Sequence, residues 1–260
     1  MDLATVTAAV HGVLWIIPEE GRRLYEHVRQ THPLHVLNIG TAHGVSAAYI
    51  AAALEANGRG HVTTVDHSMA AFSDPSPEEL LENAGLMHRV TIVKEHSDYN
   101  WFLKERIEDR SDEDGNCEPL YDLCFLDGAH NWTVDGLAVL LVEKLLRPGG
   151  WLVLDDLHWT YRGLYEGEGR PECRNAIYAG HVMSDAELDD DHVAALFRLL
   201  VMQHPSFVEF RIEDSAWGYA RKGADETRVL RLTSSRTAGD LLALSVQKII
   251  RRARRRLSPA

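Results

Sequence analysis

Three aspartates end apolar runs in the middle of this sequence. Asp127 follows YDLCFL, and Asp155 with Asp156 follows WLVL. If each run is a strand of one parallel sheet, strands about 4.8 Å apart bring these acids to one point at their carboxyl ends. Three carboxylates so placed repel one another unless a cation sits among them. Oxygen-rich surroundings suit Mg²⁺ or Mn²⁺ better than zinc. Such an ion binds a hydroxyl, lowers its pKa and holds its oxygen in line with an electrophile. The plainer alternative is that one acid faces a pocket while the others cap helices or meet backbone.

Two histidines stand beside these acids, His130 in DGAHNW and His158 in DDLHW. Either is a candidate general base, because imidazole titrates near neutral pH; His158 is also a candidate ligand. Against this, the chain has 14 histidines, so proximity can be accidental, and His130 can simply open the next helix. Asp135 reads as a first-turn acid favoured by the helix dipole. The aromatics Trp132, Trp159, Tyr161 and Tyr165 suit a flat substrate and suit ordinary packing equally.

A second constellation lies upstream, in LNIGTAHGVSAAY. A turn at Gly40 and Gly44 between a strand and a helix lets backbone approach a ligand where a Cβ would block it. The helix that follows offers free N–H groups to something anionic. Tight strand-to-helix packing explains the same glycines. Asp66, at the end of VTTVD, stands where an acid hydrogen-bonds the hydroxyls of a ribose. The turn lacks the G-x-G-x-x-G of a pyrophosphate site, so a cofactor with a ribose and no pyrophosphate fits better.

The elements that must position these groups alternate. Strands are expected over 35–40, 60–68, 89–95, 121–128 and 151–156, and helices over 45–57, 77–86, 99–110 and 133–146, which implies a parallel sheet covered on both faces. Short runs at 207–212 and 217–223 read as an antiparallel hairpin at the sheet edge. The first thirty residues read as helical, and the 111–119 and acidic 185–191 stretches as surface loops. Residues 157–191 lose the regular pattern and read as a substrate loop or lid. A helix is expected over 192–204, and another near the C-terminus, ending in a basic run between Lys248 and Arg256. The domain division is thus 1–33 helical, 34–223 α/β and 224–260 a basic tail.

In order and spacing, VLNIGTAHG, VTTVDHS, VTIVKEHS, YDLCFLDGAH and LLRPGGWLVLDD resemble the motifs of class I S-adenosylmethionine-dependent methyltransferases, over roughly residues 34–156. FLDGAH followed by GGWLVLDD looks most like the metal-dependent small-molecule O-methyltransferases of the catechol, caffeoyl-CoA and macrolide-sugar types. The resemblance implies a Rossmann-like, doubly wound, mostly parallel seven-stranded sheet with a terminal antiparallel hairpin. It also implies S-adenosylmethionine as cofactor and a hydroxylated small molecule as acceptor. Gly40, Thr41 and Gly44 would approach the methionine portion. Asp66, with His67 and Ser68, would bind the ribose; His96 and Ser97 would lie by the adenine, and Asp127 would face both cofactor and metal. The chain departs from the pattern at Asn38, where an acid is usual and whose amide oxygen would still accept a hydrogen bond from the cofactor, and at Ala42, where a glycine is usual. An N-methyltransferase without metal and a non-catalytic cofactor-binding module are the rival readings.

The formal net charge of −12 speaks against a dedicated nucleic-acid binder. Three cysteines without C-x-x-C spacing speak against a disulfide framework or a cysteine zinc site. Neither a signal peptide nor a membrane span is expected, and the reading is a cytoplasmic protein whose terminal helices offer a homodimer contact.

Overall fold

Runs of period two and runs of period 3.6 alternate along the chain, and each becomes the element its period requires. The structure is a computed structural model that describes residues 1–67, 74–167, 177–178, 181–214 and 216–223. Helices α1 (Leu3–Ala9) and α2 (Pro18–Thr31) lead into β1 (His35–Ile39), α3 (Val45–Ala56), β2 (His61–His67) and α4 (Pro77–Asn83). Then come β3 (Val90–Glu95), α5 (Tyr99–Arg110), β4 (Tyr121–Leu126), α6 (Trp132–Leu145) and β5 (Leu146–Leu154). After β5 follow α7 (Tyr161–Gly167), α8 (Asp185–Asp189), α9 (His192–Leu196), β6 (Phe207–Glu213) and β7 (Trp217–Lys222).

The seven strands form one sheet in the order β3-β2-β1-β4-β5-β7-β6. β1 to β5 pair in parallel; β7 runs antiparallel to β5, and β6 antiparallel to β7. Successive strand residues serve opposite faces: Val36 packs with α1 to α4, while Leu37 and Ile39 pack with α5, α6 and α9. Residues Val45 to Leu54 of α3 are all buried, because α1 and α2 cover its outer side. Among the described residues no helix is long and apolar enough to cross a membrane.

Register places the site. Ile39 is level with Val65 on one side and Leu126 on the other, and Leu126 is level with Leu154. The next residues, Gly40, Asp66, Asp127 and Asp155, therefore stand in one row at the carboxyl edge of the sheet. Strand spacing alone implies such a row at the carboxyl edge.

Several boundaries differ from the sequence expectation. The N-terminal helical run is broken over residues 10–17, where Gly12 and Trp15 take positive φ of 83° and 85°. β5 begins at Leu146, inside the LRPGG turn, through a register irregularity between Tyr121 and Leu123. The acidic 185–191 stretch is not a plain loop. Ser184 opens α8 with a capping box to Glu187, and Arg162 pairs with Asp185 and Asp189. The 192–204 helix is α9 followed by a π-helical turn, Phe197–Val201.

The chain divides into two units. One, Met1–Ser111 with Cys117–Thr227, holds every element named above. Of the other, Asp112–Asn116 with Arg228–Ala260, the described part is a turn in which Asp112 Oδ1 accepts the amides of Asp114 and Asn116 at 3.0 and 2.8 Å. The expected basic C-terminal helix, and its role in a dimer contact, lie outside the described residues.

Candidate active site

The turn after β1 is built on glycine of necessity. Gly40 has φ 90°, and a Cβ there would stand 1.6 Å from the Asp127 carbonyl oxygen. Gly44, at φ 87°, opens α3 against Pro77, 3.2 Å from where a Cβ would lie. Asp66 braces the loop between them: its Oδ2 accepts the amides of Thr41 and Ala42 at 2.9 and 3.0 Å, and its Oδ1 that of His67 at 2.7 Å. A carboxylate has about four acceptor positions, so this one keeps room for a ligand hydroxyl. Asn38 lies beneath the loop, fully buried. Its Nδ2 donates to the Gly40 carbonyl at 2.9 Å and to Thr64 Oγ1 at 2.8 Å. It supports the turn from below and does not line the cavity, which corrects its expected direct role toward a cofactor.

The loop after β4 is held from inside by a residue that the sequence marked only as a helix-start acid. Asp135 is buried, takes the Tyr99 hydroxyl on Oδ1 and accepts the Asn131 amide on Oδ2 at 2.9 Å. Burial raises its carboxyl above the usual range, though the hydrogen bonds from Tyr99 and the Asn131 amide oppose that. Asn131 caps α6, accepting the amide of Thr133 at 2.9 Å. Tyr161 donates to the Ala129 carbonyl at 2.7 Å, and His192 Nδ1 accepts the Trp132 amide at 2.9 Å. The loop bearing Asp127 and His130 is thus gripped by α5, α6, α7 and α9.

Asp127, His130 and Asp156 meet at the cavity floor, their ligand atoms all within 4.8 Å of one another. His130 Nε2 stands 3.4 Å from Asp127 Oδ1 and 3.4 Å from Asp156 Oδ2. Burial works to lower the His130 pKa, but the carboxylates of Asp127, Asp156 and Asp135 outweigh it and raise it. The Asp156 carboxyl is raised by burial and by Asp127, against the opposing pull of His130. Trp159 packs on the His130 ring with centroids 4.8 Å apart.

Asp155 does not join them. It is 3% exposed, its Oδ1 accepts the Asp156 amide at 2.7 Å, and it does not line the cavity. Burial, then the charges of Asp127, Asp156 and Glu20, push its carboxyl well above the usual range. The expected triad Asp127, Asp155, Asp156 is corrected to Asp127, His130, Asp156. The reason is backbone: Asp156 turns into the left-handed region at φ 54°, so the strand alternation that would oppose neighbouring side chains ends at this point.

The cavity around this floor measures about 530 Å³, within the usual range for a small-molecule site. Gly40, Thr41, Asp66, His67 and Ser97 line it, as the sequence suggested. His96 does not line it and is exposed, so its expected place by the adenine is not met; Ser68 lies outside the described residues. His158 is also displaced: 58% exposed, it pairs through Nδ1 with Asp191 Oδ2 at 2.7 Å and faces away from the floor. Among the walls, Leu14, Trp15 and Ile16 from the 10–17 break and Tyr99 from α5 were not singled out from sequence. The signal that could have found the first three is Pro18, which fixes a helix start and leaves an apolar run before it without a helix to belong to.

Among the described residues, four of the six non-glycines at positive φ, namely Trp15, Ala42, His130 and Asp156, line this one cavity. Such conformations cost about 1–3 kcal/mol each and persist where surrounding structure enforces them, typically at functional sites.

Residues 37–157 match the family model described as a methyltransferase domain. Solved structures share the fold. An O-methyltransferase of Streptomyces achromogenes involved in tomaymycin synthesis, solved with S-adenosylmethionine, is 20% identical; the match covers 85% of this chain and 89% of that one, with a TM-score of 0.52. An O-methyltransferase of Bacillus cereus, solved with S-adenosylhomocysteine, is 20% identical over 85% and 88%, with a TM-score of 0.52. A methyltransferase of Podospora anserina bound to S-adenosylhomocysteine is 18% identical over 85% and 87%, with a TM-score of 0.58. No curated protein sequence matches the chain.

Proposed function

We propose that this class I S-adenosylmethionine-dependent methyltransferase transfers its methyl group to a hydroxyl of a small molecule, at a divalent cation held on the cavity floor. The observation that carries the reading is the meeting of Asp127, His130 and Asp156 in the same cavity as the Gly40 turn.

The residues fit the cofactor. The Gly40 turn admits a backbone-close ligand, Asp66 keeps an acceptor position for a ribose hydroxyl, and His67 and Ser97 line the same cavity as further polar groups. S-adenosylmethionine, when bound, supplies a sulfonium methyl that is already a good electrophile. What the protein adds is alignment and exclusion of water. Trp159, stacked on His130, and Leu14, Trp15 and Ile16 supply the apolar wall against which an acceptor would lie.

Asp127 and Asp156, with His130 Nε2 between them, are the groups that would hold a divalent ion. Such an ion supplies a Lewis acid that lowers the pKa of the acceptor hydroxyl. The hydroxyl proton would leave to solvent past Asp156, whose side chain is 42% exposed. His130, lodged between two carboxylates, belongs to this cluster rather than acting as a free general base.

The test is incubation with methyl-labelled S-adenosylmethionine and matched panels of phenols, sugar alcohols and amines, with Mg²⁺ or Mn²⁺ and again with EDTA. Labelled methyl ethers that vanish with EDTA support the proposal. Methylated amines formed equally in EDTA would replace it with metal-free N-methylation, and no transfer to any acceptor would favour the binding-module reading.

A further inference from the structure

We infer that His130 is itself a ligand of the floor cation, through Nε2, and that the site therefore selects a first-row transition-metal ion over Mg²⁺. The inference rests on the proposal that this cluster holds a divalent cation at all, and goes beyond it by assigning the donor set and the metal class.

Geometry comes first. Two donors bound to one ion at about 2.1 Å lie roughly 3.0 Å apart at right angles and roughly 3.4 Å apart in a tetrahedron. His130 Nε2 is 3.4 Å from Asp127 Oδ1 and 3.4 Å from Asp156 Oδ2, and all three donors fall within 4.8 Å of one another. The two distances from His130 Nε2 match the spacing of ligands on one ion.

The second observation concerns Nε2 alone. It is a buried nitrogen that makes no well-formed hydrogen bond among the described residues, its polar neighbours being the two carboxylates at 3.4 Å. Buried polar atoms are nearly always satisfied, so one left between two carboxylates asks for a further partner at their centre.

Third, the backbone is bent to produce this arrangement. His130 and Asp156 hold φ of 53° and 54°, and both are non-glycine residues in the left-handed region. The Trp159 ring, 4.8 Å away at an interplanar angle of 32°, restricts the imidazole. Asp155, the residue that would complete an all-oxygen set, is withdrawn into the protein with Oδ1 on the Asp156 amide.

The donors are therefore one imidazole nitrogen and two carboxylate oxygens. Mg²⁺ prefers oxygen throughout, whereas imidazole suits the later first-row ions, and a site of this composition discriminates between them through the nitrogen.

Mn²⁺ is the probe, because it reports its own ligands. The experiment titrates MnCl₂ into the metal-stripped full chain, follows free Mn²⁺ by continuous-wave EPR, and then records pulsed EPR for modulation by a directly bound ¹⁴N. The inference expects stoichiometric Mn²⁺ binding with ¹⁴N modulation, and displacement by Mg²⁺ only at a large excess. His130→Gln should lose the modulation and weaken Mn²⁺ binding by about 10–100-fold or more, while still binding S-adenosylhomocysteine as a control for folding. Mn²⁺ bound without nitrogen modulation in the wild-type chain would overturn the inference and leave the cation site standing. No Mn²⁺ binding, or binding indifferent to Asp127→Asn, would instead overturn the reading on which it rests.

Discussion

Gly40 and Asp127 approach so closely that a Cβ on residue 40 would stand 1.6 Å from the Asp127 carbonyl oxygen. The turn after β1 and the loop after β4 are thus one packed unit: on the proposed function, the residue that admits the cofactor also fixes the start of the loop facing the acceptor. Gly40→Ala must push that loop away and adopt a φ of 90° unsuited to alanine. The expected result is a loss of about 2–4 kcal/mol of stability, from overpacking and backbone strain together. S-adenosylhomocysteine affinity should fall at least about tenfold, measured by thermal melting and calorimetry on the same preparation.

Asp155 and Asp156 are adjacent in sequence and separate in role. Asp156→Asn should abolish binding of a divalent ion and reduce turnover by about 100-fold or more, since it removes a charged ligand. Asp155→Asn should leave metal affinity within a fewfold of wild type, since Asp155 does not reach the cavity. Metal titration of the two variants checks this, with turnover as the second readout.

His158→Ala should leave kcat and KM within about twofold, because an exposed pair such as His158 with Asp191 contributes about 0–1 kcal/mol. A large loss of turnover in steady-state kinetics would return His158 to the reaction.

The rows of acids and glycines at the strand ends were legible because strand spacing and a carboxyl-end turn are consequences of sequence pattern. What was not legible lies where the chain leaves regular structure. Nothing in DDLHW says that Asp156 turns left-handed and faces the cavity while Asp155 turns in. Nothing local says that His158 meets Asp191, 33 residues on. Trp15 joins the cavity wall because a run that reads as continuous helix breaks before Pro18. Asp135 looked like a dipole-favoured acid, and its central place under the 128–131 loop depends on Tyr99, which α5 brings from 36 residues upstream.

Glu143 and Lys222 tie α6 to β7 at 2.9 Å, both largely buried. Burial alone would raise the Glu143 carboxyl, but Lys222 outweighs it and holds it below its ordinary 4.5. A depressed folded pKa gives stability that is fully present above the unfolded value and lost as pH falls through the folded one. Glu143→Gln should therefore lower stability by about 2–3 kcal/mol at pH 7, tempered because Lys222 keeps two carbonyl acceptors. The gap between variant and wild type should close as pH falls from the ordinary 4.5 through the lowered folded value. Denaturant unfolding of both chains across pH 3–8 measures it.

The most direct test of the central claim is calorimetric titration of S-adenosylhomocysteine into the purified chain, with Mn²⁺ and again with EDTA. The account predicts one site of micromolar affinity in both conditions, because the Gly40 turn and Asp66 bind the cofactor without the floor cation. No heat of binding in either condition, from a chain shown to be folded, would contradict it.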